Sequence, residues 1–190
     1  MTGWSTVALA LWLLVGLASV GTWWPPVPGL RLGPDRPRTL RAAVALVVLL
    51  TGLVALSGAL APPLPPPWSW LAVGLAALSA SATGAVFTYG LLALADGSTA
   101  AAARVQRTVL RGGACIGVLE RLAMLGTLLA GFPEGMAAIV AIKAFARYPE
   151  LKSGQATGAI ERFIIGTFAS LGWAAVCAGV TRVLLRATLG

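Results

Sequence analysis

Six apolar segments take up most of this 190-residue chain, and their length decides what it can fold into. They run over about 4–24, 40–60, 69–94, 109–131, 135–148 and 159–185. A helix rising about 1.5 Å per residue needs roughly 20 apolar residues to cross a hydrocarbon core. No water satisfies backbone groups in that core, so long runs of this kind must be helical. The expected fold class is therefore all-α: a polytopic integral membrane protein with about six transmembrane helices. The fifth segment is short and charged; it either crosses at a steep tilt or re-enters.

Composition agrees. The chain is 58% hydrophobic and 11% charged, with a mean hydropathy of +0.87. Soluble domains carry about a quarter charged residues, and six acids cannot solvate a globule of this length. The net charge of +8 would point to nucleic acid in a soluble protein. Its basic residues instead gather at the ends of apolar runs, where Lys and Arg set topology and meet anionic lipid. Membrane lipid, not nucleic acid, is the partner expected.

There is no His, and the only cysteines are Cys115 and Cys177. Zinc, haem and mixed Cys/His metal sites are excluded, and no metal or cofactor is expected. With the fourth and sixth spans running in the same direction, the two thiols lie near opposite faces, which argues against a disulfide within one chain. Both read as core-packing residues. The N-terminal run lacks a basic leader and a small-residue cleavage site, so it reads as a retained span.

The connections sort by charge. Arg31, Arg36, Arg38 and Arg41 surround the first, Arg104, Arg107 and Arg111 the third, and Arg147, Lys152 and Arg162 the fifth. The second, 61–68, carries no charge, and the fourth only Glu134. The positive-inside rule then makes the odd-numbered loops cytoplasmic and puts both termini outside. Arg182 and Arg186 fall on the wrong side of that scheme; a fifth segment that did not cross would return the C-terminus to the cytoplasm. The stretch from Ala61 to Pro67 is a stiff extended connector. Trp4, Trp23, Trp24, Trp68 and Trp70 sit at interface depth. Asp96 to Ala103 reads as a small-residue turn, and Arg104, Arg107 and Arg111 share one face as an interfacial anchor.

The first three spans (1–94) hold no ionisable residue at their centres and read as scaffold or oligomer interface. The last three (95–190) hold them all. Ionisable groups inside a membrane are expensive and usually face a partner or a cavity. On the topology above, Glu120 lies roughly 15–18 Å above the cytoplasmic end of the fourth span. Lys143 lies about 12 Å below the outer end of the fifth. The two are at similar depth, so an ion pair between antiparallel neighbours is reasonable. Arg147 follows one turn below, with Glu150, Glu161 and Arg162 near the inner mouth, giving a ladder of alternating sign. Arg121 is about 100° around the fourth helix from Glu120, so one of the two faces the bundle while the other faces a neighbouring subunit. Gly113 and Gly117, continued by Thr127 and Gly131, and Gly166, Thr167 and Ser170 on the sixth span form small-residue surfaces for close packing or a polar lining.

Three strings carry a resemblance. They are Gly113-Ala-Cys-Ile-Gly-Val-Leu-Glu-Arg121, Lys143-Ala-Phe-Ala-Arg-Tyr-Pro-Glu-Leu151 and Glu161-Arg-Phe-Ile-Ile-Gly-Thr-Phe-Ala-Ser170. In order and spacing they resemble an uncharacterised bacterial family of small polytopic membrane proteins with the pattern G-x-x-I-G-x-L-E-R, K-x-x-x-R-x-x-E-L, E-x-x-x-I-G-T-x-x-S. The match covers about the last 80 residues, with Ala144 where Ser is usual and Arg162 where an aromatic is usual. The resemblance marks Glu120, Arg121, Lys143, Arg147, Glu150, Glu161, Gly166, Thr167 and Ser170 as signature positions, and the Gly-, Ala-, Arg- and Pro-rich composition suggests a bacterial plasma membrane. The resemblance implies no activity.

Three functions fit these residues. A channel- or transporter-like homo-oligomer would use the charge ladder as a path for a small ion or proton. A structural or regulatory subunit would pair its buried charges with another protein's span. An anionic-lipid-binding protein would grip a head group with Lys143, Arg147 and Arg162. No catalytic constellation is present, so an enzyme is not expected.

Overall fold

The computed structural model describes residues 3–20, 37–66, 68–95, 112–152 and 159–186. Trp23, Trp24, Arg31, Arg36, the 96–103 turn and Arg104, Arg107 and Arg111 lie outside the described residues, as do the side chains of Arg38 and Glu150 and the surroundings of Gly113. Among the described residues there are six helices and no strand: α1 (Gly3–Val20), α2 (Pro37–Leu60), α3 (Trp68–Ala95), α4 (Gly112–Leu129), α5 (Gly135–Lys152) and α6 (Ala159–Leu184). Three contain stretches long and apolar enough to cross a membrane: Arg41–Leu60, Trp68–Ala95 and Ile160–Leu184. A shorter apolar stretch covers Gly3–Leu17 of α1.

Local chemistry sets the helix ends. Pro37 opens α2 at a position where its missing N–H is harmless. Pro62 and Pro63 bar its continuation past Leu60. At the end of α4, the Phe132 N–H donates to the Thr127 carbonyl (2.9 Å) and the Gly131 N–H to the Leu128 carbonyl (3.2 Å). This paired pattern needs a left-handed residue, and Gly131 supplies it with φ +75°. Three residues of turn then lead directly into α5.

Side-chain contacts fix the direction of most helices. Val44 packs at Gly90, and the short 61–67 connector joins the other ends, so α2 and α3 are antiparallel. Trp173 meets Thr83 and Phe87, while Gly166 meets Thr88 and Leu92, so α3 and α6 are antiparallel as well. Glu120 with Lys143 and Thr127 with Gly135 make α4 and α5 an antiparallel hairpin. Thus α2, α4 and α6 all point one way.

Their C-termini meet. Leu184 packs at Gly58, and its carbonyl accepts the N–H of Leu64 (3.2 Å). Leu64 is almost wholly buried, so the proline-rich connector is pinned onto the end of α6. Arg186 Nη2 donates to the Gly58 carbonyl near the end of α2 (3.2 Å), and Arg182 lies beside Gly131 at the end of α4. The two arginines that fit the charge rule poorly therefore sit at helix C-termini, where the backbone dipole favours a cation. Arg41, Arg147, Lys152 and Arg162 lie toward the opposite end.

Apolar side chains fill the core, but small hydroxyl residues are buried among them and large apolar side chains cover the exterior. Buried positions include Ser57, Thr51, Ser79, Thr83, Thr167, Ser170 and Thr181, while Leu49, Leu53, Leu56, Leu94, Ile142 and Phe145 are exposed. In water an apolar exterior of this extent would drive association. Small polar residues at helix contacts, with Leu outside, are what helices packing in lipid use. Several hydroxyls satisfy themselves by donating one turn back, as Thr51 does to the Val47 carbonyl (2.8 Å) and Thr181 to that of Cys177 (2.7 Å). Cys177 is buried in this core, but Cys115 is exposed, so only one thiol is a core residue.

Candidate functional site

The polar centre of the bundle lies where α3, α4 and α6 meet. Arg121, midway along α4, is 5% exposed and points into this junction. Its Nη1 donates to Ser170 Oγ on α6 (3.1 Å) and its Nη2 to the Ser81 carbonyl on α3 (3.1 Å). No ion pair to a carboxylate forms at Arg121 among the described residues, and its Nε has no partner. Room for the side chain comes from Gly84, where a Cβ would lie 2.5 Å from Arg121 Cδ. The guanidinium lies beside Gly117, one turn back on α4, 3.5 Å from where a Cβ would stand, an ordinary contact distance.

Beside it, Trp173 Nε1 donates to Thr83 Oγ1 (2.6 Å), and Thr83 in turn donates to the Ser79 carbonyl (2.6 Å). The Trp173 ring stacks on Phe87 with centroids 4.6 Å apart. These bonds hold α3 and α6 at a fixed spacing, which defines the slot that Arg121 occupies. Thr167, one turn from Ser170 on α6, is buried with a hydroxyl that has no partner.

Glu120 faces a different neighbour. It accepts an ion pair from Lys143 across the α4/α5 hairpin, with side chains 14% and 20% exposed. The sequence left open which of Glu120 and Arg121 turns inward. Arg121 is the buried one, and Glu120 turns toward α5.

The remaining signature residues are dispersed. Among the described side chains Arg147, Glu161 and Arg162 are exposed, Glu120 pairs with Lys143, and Arg121 is buried. Thr127 packs at Gly135 in the hairpin turn, and Gly166 packs near Thr88, both as helix contacts. Of the walls around Arg121, Ser81, Thr83 and Gly84 belong to the small residues that the sequence shows on the third span, whereas sequence reasoning missed Trp173. The run of small residues from Ser79 to Thr88 was the available signal for α3.

On the flank between α2 and α6 lies an open apolar groove of about 820 Å³, lined by Val48, Thr51, Phe87, Phe168 and Trp173 among others. Among the described residues no group of three His, Cys, Asp or Glu side chains converges to hold a metal ion. Comparison with family models, with curated proteins and with solved structures finds no match.

Proposed function

We propose that this chain is a multi-pass protein of the bacterial plasma membrane, channel- or transporter-like, that handles a small ion at the α3/α4/α6 junction. The observation that carries this reading is Arg121, a permanent cation buried among apolar helices with no carboxylate paired to it among the described residues. Registration of helices needs no such charge, because Thr83 and Trp173 already lock α3 to α6. The Glu120–Lys143 pair supplies a neutral but polar flank one residue away.

In this reading all six helices cross, with the odd-numbered connections cytoplasmic. The common direction of α2, α4 and α6 supports it, since α5 must return the chain from one face to the other. At about 1.5 Å per residue its 18 residues run roughly 26 Å. The copies assemble as homo-oligomers, and anionic lipid meets the cytoplasmic arginines. The chain belongs, on this proposal, to the family whose three-string signature it resembles.

A second reading, a structural or regulatory subunit, is favoured by α5. This helix packs mainly on α4 and presents Ile142, Phe145 and Tyr148 outward, Phe145 at 83% exposure.

The test is ion flux from liposomes containing purified protein. Folded wild type dissipates a small-ion gradient, and Arg121→Gln and Lys143→Met reduce that flux while the oligomer persists. Folded wild type that passes no small ion overturns the reading in favour of the subunit.

A further inference from the structure

Arg121 leaves its junction electrically incomplete. A guanidinium carries five N–H donors and stays charged at any physiological pH. One Nη1 donor reaches Ser170 and one Nη2 donor reaches Ser81, while Nε is buried without an acceptor. Glu120, the nearest carboxylate in sequence, is committed to Lys143. Glu120, Arg121 and Lys143 together therefore carry one net positive charge, of which Arg121 is the buried member.

One turn along α6 from Ser170, a second buried group is also unsatisfied among the described residues. Thr167 is 6% exposed, its Oγ1 has no partner, and it follows the α6 face one turn from Ser170. Buried polar groups are normally hydrogen-bonded, to protein or to a small bound species such as water or an ion. A charged donor and a hydroxyl, in surroundings with one excess positive charge, call for a single small anion. A monovalent one neutralises the cluster; a divalent one would reverse its charge inside an apolar bundle.

We propose that the α3/α4/α6 junction binds a small monovalent anion of the chloride or nitrate class, held by the Arg121 guanidinium with the Thr167 hydroxyl as second donor. This names the ion class for the function proposed above and rests on that reading.

The experiment is chloride-35 NMR line broadening on detergent-solubilised full-length protein. Wild type broadens the chloride line and nitrate reverses it. Arg121→Gln abolishes the effect, and Lys152→Gln, on an exposed side chain, leaves it intact. Thr167→Val, nearly isosteric, weakens chloride binding about 5–10-fold, the loss of one hydrogen bond, and carries the test should Arg121→Gln fail to fold. Folded wild type without broadening overturns the proposal, as does equal broadening in wild type and Thr167→Val. Cation flux without chloride binding overturns the anion assignment and leaves ion handling standing. Chloride binding without flux of any ion supports the assignment and removes the transport reading.

Discussion

Gly84 and Arg121 fit together as slot and key: a Cβ at position 84 would stand 2.5 Å from Arg121 Cδ and 3.0 Å from its Nε. The first distance is shorter than real Cβ contacts allow, and the arginine has no free direction, being held by Ser170 and Ser81. Gly84→Ala is therefore expected to destabilise the bundle by about 1–3 kcal/mol, through overpacking that shifts α3 from α4. Gly74→Ala, at an open position, is expected to be neutral or slightly stabilising because Ala favours helix. Thermal unfolding of both variants in one detergent checks the contrast; equal midpoints would refute the close fit.

Glu120 and Lys143 are coupled across the α4/α5 hairpin. Removing either charge strands the other in a mostly desolvated site, so Glu120→Gln and Lys143→Met should each cost more than half as much as the double variant. A double-mutant cycle on unfolding free energies should return a coupling of about 1–3 kcal/mol. A coupling near zero would mean that the two side chains do not meet.

The Thr83–Trp173 hydrogen bond ties α3 to α6. Thr83→Val keeps the shape but leaves the indole N–H without an acceptor, at a cost of about 1–3 kcal/mol. Trp173→Phe removes both the donor and part of the stack on Phe87. Combined with Thr83→Val it should add less than its effect in the wild-type background. Full additivity of the two substitutions in unfolding measurements would count against the bond.

The thiols report the fold independently. Cys115 is exposed and Cys177 is buried against the α6 interior. N-ethylmaleimide should modify one thiol per folded chain in detergent, at Cys115, and a second only after denaturation. Peptide mapping that finds Cys177 labelled first would contradict the packing of α6.

What could be read from residues, and what could not, divides along one physical line. Apolar run length places the helices, because it depends only on rise per residue. The depth argument also pairs Glu120 with Lys143, since both lie a fixed number of residues from one turn. The direction of Arg121 was not legible: a 100° step decides which of two adjacent side chains faces inward, and the decision rests on α3 and α6. Gly84, Ser81 and Ser170 make that slot, and they are distant in sequence from Arg121. Arg182 and Arg186 misled for a related reason. They serve the ends of α4 and α2, contacts that a charge count along the chain does not register.

Heavy-halide crystallography tests most directly whether the unfilled donors of Arg121 hold an anion. Crystals grown in bromide should show an anomalous peak within about 3.5 Å of Arg121 Nε. A guanidinium enclosed by protein side chains alone, with no peak at the junction in well-ordered crystals, would contradict the account and leave Arg121 as a structural lock.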